Sequence, residues 1–96
     1  MLDLNQLKVF ITAAECLNFS QAARLLHMSQ PSVTQNIRQL EATIGKPLFE
    51  RIGKKLLISD AGSALLPMAR QLVALSMRTE AVLGADVIDL AGELEI

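Results

Sequence analysis

FSQAARLLHMSQPSVTQNIRQLEATI, from Phe19 to Ile44, decides how this chain folds. It reads as two short helices joined by a tight turn. Ser20 has the hydroxyl of a good N-cap for the first helix, able to accept from an otherwise orphan N–H two or three residues on. Ala22, Ala23, Leu25 and Leu26 supply helix formers and an apolar face, and His27-Met28-Ser29-Gln30 interrupts the pattern. Ser29 or Gln30 opens the second helix, ahead of Pro31, whose missing N–H costs nothing in a first turn.

At about 100° per residue, Val33, Ile37, Leu40 and Ile44 share one narrow stripe of the second helix. The opposite side carries Pro31, Thr34, Gln35, Arg38 and Gln39, with Glu41 only at its edge. That outer face is rich in amide and hydroxyl groups, basic where it is charged, and suited to base edges and phosphates in a groove wide enough for a helix. Small Ala23 at a close helix crossing, then Leu26, a turn, Val33 and Ile37, fits a helix-turn-helix. The plainer alternative is a helical hairpin with a solvated polar face. Glycine serves such a turn best because it tolerates positive φ, and here His27 stands in the turn.

Ninety-six residues make one small domain, with room for an appendage. Apolar residues are 51% of the chain and its three aromatic residues are all Phe, so aliphatic side chains must fill the core, which suits packed helices. The single cysteine, Cys16, lies in an apolar helical pattern and reads as a buried free thiol of a reducing compartment. No apolar run reaches the length of a membrane span, and a basic region ahead of an apolar one is absent from the N-terminus. Net charge is −1, but residues 1–58 hold seven basic against four acidic side chains and residues 59–96 two against six. A basic head and an acidic tail result.

Ahead of the central stretch, Asp3 with Gln6 has the spacing of a capping box, and the first helix should run to about Leu17-Asn18. Leu4, Leu7, Ile11 and Ala14 share its core face, which Val9, Phe10 and Ala13 widen. After the central stretch, Gly45 is a natural helix stop and Pro47 bars helix. Leu48–Arg51 and Leu56–Ile58 are strand candidates around a tip with Gly53, Lys54 and Lys55. A basic-tipped hairpin after a recognition helix is a wing, placed for phosphate backbone or minor groove. Ser59 caps the last and longest helix, with Asp60 near its positive end. This helix should end at Gly84 and bend at Pro67. Ala61, Leu65, Met68, Leu72, Leu75, Thr79 and Val82 alternate spacings of four and three, a heptad seam, beside a second strip of Leu66, Ala69 and Val73. The second strip can pack on its own domain while the seam meets another subunit. Residues 85–96, ADVIDLAGELEI, have the texture of a hinge and the opening of a strand.

These segments together resemble the N-terminal part of LysR-type transcriptional regulators, over nearly the whole chain. The resemblance rests on Leu4–Phe10, Phe19–Ala23, Leu26–Val33 with its Ser29-Gln30-Pro31-Ser32 run, Ile37–Glu41, Gly45–Arg51 and Ser59–Gly62. It implies a mainly α fold: a winged helix-turn-helix over residues 1–58, with three helices and a short β-hairpin wing. A linker and dimerisation helix follows over residues 59–84, and residues 85–96 form a hinge and the start of an effector-binding domain of periplasmic-binding-protein type. Only the first strand of that domain is expected within this chain, so a small-molecule effector belongs outside it, and no cofactor is expected here. By position, Gln30, Pro31, Thr34 and Gln35 match base-reading residues. Ser20, Ser32 and Arg38 match backbone contacts, and Arg51, Lys54 and Lys55 match the wing. Leu65, Met68, Leu72, Leu75 and Val82 fall to dimerisation. Gln35 stands where many members carry arginine, and the wing has lysines where arginine is common, so target preference does not carry over.

The function implied is a cytoplasmic regulator that binds an inverted repeat in double-stranded DNA as a homodimer. The alternative is a winged-helix interaction module that does not bind DNA. An enzyme is not expected: Cys16 and His27 are the only thiol and imidazole, and phosphate-loop and metal-ligand spacings are missing.

Overall fold

The apolar stripe of each segment sets its place. In the computed structural model, which describes residues 2–95 and the side chains of residues 2–83, α1 spans Leu4–Cys16, α2 Phe19–Leu26 and α3 Gln30–Ile44. Strands β1 (Phe49–Ile52) and β2 (Lys55–Ile58) then form the hairpin, and α4 covers Asp60–Glu95. The fold is mainly α with one antiparallel hairpin, as the sequence predicts.

Local chemistry starts and stops these helices. The Asp3 carboxylate accepts from the N–H of Asn5 at 2.7 Å and of Gln6 at 3.2 Å. The capping box does not close, because the Gln6 amide donates instead to Gln39 Oε1 of α3 at 2.9 Å. Leu17 leaves α1 in the left-handed region at φ 48°. The cap of α2 is Asn18, whose side chain accepts from the Gln21 N–H at 2.9 Å. Ser20, expected at that cap, lies inside the first turn instead: the left-handed Leu17 turns the chain early, and Asn18 reaches the orphan N–H groups first. Ser29 caps α3 through the Ser32 N–H, and Gly45 ends it at φ 82°.

The core forms where α1, α2, α3 and the first turns of α4 meet. Leu7, Phe10, Ala13, Ala22, Val33 and Leu40 are fully buried. Leu4, expected on this face, is exposed at the rim, and Cys16 is only half-buried. The Phe49 ring meets Phe10 and Phe19 edge-on, with centroids 5.6 and 5.3 Å apart, and ties the hairpin root to α1 and α2. Pairing runs Phe49 with Ile58 to Ile52 with Lys55 around a two-residue loop whose Gly53 has φ 63°. A positive φ at the first loop residue is what a type II′ hairpin demands, and glycine supplies it without strain.

The start of α4 is anchored on the hairpin root. The Ser59 hydroxyl donates to the Pro47 carbonyl at 2.7 Å and accepts from the Gly62 N–H at 3.0 Å. The Ser59 N–H reaches the Leu48 carbonyl at 2.9 Å. A Cβ at Gly62 would run into that Leu48 carbonyl and into Ile58. Ala69 is fully buried, and Leu66 and Val73 pack against the core, so the second strip faces its own domain. Ala61 and Leu65 do so as well, which leaves the seam exposed from Met68 onward. The helix runs unbroken through Pro67, and the exposed Ser63 leaves the unpaired carbonyl to water.

Two expectations for the C-terminal stretch are corrected. Gly84 does not end α4, and Gly92–Glu95 is helical rather than extended. Internal glycine costs about 1 kcal/mol relative to alanine, too little to stop a helix continued by Ala85, Leu90, Ala91 and Glu93. Ile96 lies outside the described residues.

Candidate nucleic-acid interface

Two N-terminal helix turns and the hairpin converge on one side of the molecule. His27 adopts the left-handed conformation at φ 55°. It lets the Met28 N–H reach the Ala23 carbonyl at 2.9 Å, the closure that ends a helix and redirects the chain. α3 therefore leaves the turn with Val33, Ile37 and Leu40 buried and its other face free. Gln30, Pro31, Thr34, Gln35 and Arg38 line one open surface groove along that free face. Among the described residues, no acidic side chain lines it. Glu41, at the edge of the face, lines the neighbouring depression with Gln30, Thr34, Arg38 and Glu50, and its carboxylate accepts from the Leu48 N–H at 2.7 Å and pins the loop after α3.

A second depression joins α2, α3 and the wing, lined among others by Ser20, Gln30, Arg51 and Lys54. Two of the three wing residues expected from sequence are thus brought to the recognition helix. Lys55 is not. Directly paired residues share a face of a hairpin and successive ones alternate. Arg51 therefore lies with Leu56 and Phe49, whereas Lys55 lies with Ile52, Glu50 and Leu57 on the outer face. The only ion pair among the described residues joins Arg70 to Glu15 at 3.4 Å, across the α1–α4 contact. Arg38, Arg51, Lys54 and Lys55 are consequently unpaired cations there.

The hydroxyls differ in what they have left to give. Ser32 Oγ accepts from Ser29 Oγ at 2.9 Å and keeps its own proton. Ser20 Oγ has spent its proton on Gln30 Oε1 at 2.8 Å. Asn18 and Glu41 are the residues that sequence reasoning missed. The asparagine preceding a helical pattern was a visible signal for the first. The second depends on a partner seven residues away, which only the folded loop supplies. Among the described residues, no group of three or more His, Cys, Asp or Glu side chains could hold a metal ion. No helix there is long and apolar enough to cross a membrane.

Residues 4–63 match the model of the bacterial regulatory helix-turn-helix proteins of the LysR family. The chain belongs to the LysR family. Over 75 residues it is 47% identical to an uncharacterized HTH-type transcriptional regulator, YwqM of Bacillus subtilis, covering 78% of this chain and 26% of that protein. Over 95 residues it is 39% identical to the HTH-type transcriptional regulator TfdT of Cupriavidus pinatubonensis, covering 99% of this chain and 42% of that one. The chain thus spans between about a quarter and two fifths of the length of these two relatives. Among solved structures, the CbnR DNA-binding domain in complex with DNA superposes with a TM-score of 0.81 at 37% identity, over 90% of this chain and 99% of that one.

Proposed function

We propose that this chain is the DNA-binding and dimerising part of a LysR-type transcriptional regulator. α3 enters the major groove, Gln30, Pro31, Thr34 and Gln35 face base edges, and Ser32 and Arg38 hold the adjoining backbone. Arg51 and Lys54 contact phosphates from the wing. The carrying observation is the groove of Gln30, Pro31, Thr34, Gln35 and Arg38, open along α3 and, among the described residues, without an acidic side chain in its lining. The likeness to a DNA-bound domain of the same family supports this reading over an interaction module.

One recognition helix makes few base contacts, so two heads reading an inverted repeat are needed for selectivity. The exposed seam of α4, Met68, Leu72, Leu75 and Val82, supplies the dimer contact, with Leu65 already shared with the core. A regulator that works on DNA in this way acts in the bacterial cytoplasm, which is the compartment proposed for this chain. Binding of this kind requires no cofactor from the chain. The greater length of the relatives is consistent with a small-molecule effector site in a further domain, approached through residues 85–96.

Selection of bound sequences from a random duplex pool, with a salt titration, tests the reading. The expected result is an inverted repeat bound with an affinity that falls steeply with salt. Salt-independent binding without sequence preference would favour the interaction module instead.

A further inference from the structure

α3 carries two glutamines at its exposed N-terminal end, and the fold treats them differently. Gln35 is exposed, and its amide has no protein hydrogen-bond partner among the described residues. Its carbonyl and NH2 are both available, the set that pairs bidentately with adenine N6 and N7. Gln30 is tethered: the Ser20 hydroxyl of α2 donates to its Oε1 at 2.8 Å. A hydroxyl has one proton to give. That bond uses the only proton of the Ser20 hydroxyl and one of the two lone pairs on Gln30 Oε1, and holds the carbonyl end of the amide toward α2. Ser20 is half-buried beside Phe19 and the wing. Gln30 occupies the first position of α3, between the Ser29 cap and Pro31, so the backbones on both sides of the bond are held.

We propose that Ser20 is a positioning residue for base choice: it holds the Gln30 amide with its NH2 outward, so that Gln30 acts as a donor and selects a base presenting acceptors. This rests on α3 reading DNA as proposed above. Guanine offers N7 and O6 and thymine offers O4, whereas cytosine offers only a donor and adenine is best met by a donor and acceptor together. Gln30 then prefers guanine or thymine, while untethered Gln35 takes adenine. The two identical side chains acquire different preferences from a residue that touches no base. A direct phosphate contact by Ser20 is the competing role, and it would need the proton already given to Gln30.

The test is selection from a random duplex pool with the whole chain and its Ser20→Ala, Ser20→Thr, Gln30→Ala, Gln30→Glu and Ser20→Ala/Gln30→Ala variants. The base pair whose preference disappears in Gln30→Ala marks the position. At that position wild type should select guanine or thymine. Ser20→Ala should admit adenine, with preference reduced about three- to ten-fold, the worth of one hydrogen bond, and no change in affinity for random duplex. Ser20→Thr should restore the preference. Adding Ser20→Ala to Gln30→Ala should change nothing further. Gln30→Glu keeps the acceptor for Ser20 but loses the outward donors, and should shift the choice toward cytosine. A Ser20→Ala variant weakened alike on all sequences, additive effects of Ser20→Ala and Gln30→Ala, or adenine chosen there by wild type would overturn the proposal while leaving DNA reading by α3 intact. A wild type without any sequence preference would overturn both.

Discussion

α3 and α4 are both amphipathic, and their exposed faces are opposites. In α3 the apolar side chains Val33, Ile37 and Leu40 are at most 2% exposed, and what remains outside, besides Pro31 and Ala42, is mostly amide, hydroxyl and guanidinium. In α4 one strip is spent on the core through Ala69, while Met68, Leu72, Leu75 and Val82 are 41–67% exposed. A polar face that already has water gains from a partner only if that partner offers charge or matched hydrogen bonds. An apolar face gains from any surface that removes it from water, at roughly 25 cal/mol per Å². The difference underlies the partners proposed for the two helices, nucleic acid for α3 and another apolar helix for α4.

The largest effect is expected where that assignment can be broken outright. Leu72 sits at the middle of the seam from Ala61 to Val82, where antiparallel partners would meet themselves. Leu72→Glu should cost several kcal/mol of dimer stability by burying unpaired carboxylates. Because Leu72 lies outside the core of the single chain, the variant should stay folded as a monomer, seen by sedimentation. A wild type that is monomeric at micromolar concentration and still grips an inverted repeat tightly would end the dimer role of α4.

Next in size is the joint between the two regions. Gly62→Ala places a methyl against the Leu48 carbonyl and Ile58, and overpacking of this kind costs about 1–3 kcal/mol. A lowered thermal midpoint is the readout. An unchanged midpoint would mean that α4 is free to shift on the hairpin root.

On α3 itself, Gln35→Ala should cost about 1–3 kcal/mol on the preferred site and relax choice at one position. Retained affinity and preference would move that role elsewhere on the helix. Smallest is the wing. Lys54→Ala should lower the salt slope by about one unit on every sequence. Lys55→Ala should lower it less, since Lys55 shares the outer face with Glu50. Equal slopes for the two variants would show that the hairpin rolls on binding.

What the sequence determined alone is whatever depends on neighbours within about one helical turn or one hairpin. The caps at Asp3 and Ser59, the stop at Gly45, the end of α1 near Leu17-Asn18, the start of α3 at Ser29 or Gln30, the apolar stripe of α3 and the glycine-led wing all fall in that class. The residues of the α3 groove follow, since a helical period places them on one face once the buried side is known. Tertiary structure decided what spans the chain. Examples are the pairing of Gln6 with Gln39, the tether from Ser20 to Gln30, the contact that reserves Gly62, and the division of the α4 seam between core and solvent. Competition also mattered. Asn18 and Ser20 are both capable caps, and the left-handed turn at Leu17 put Asn18 in place. Periodicity identifies an apolar face but carries no record of which neighbour will cover it. That depends on where the other helices lie, and for Met68 to Val82 no part of the described chain lies there.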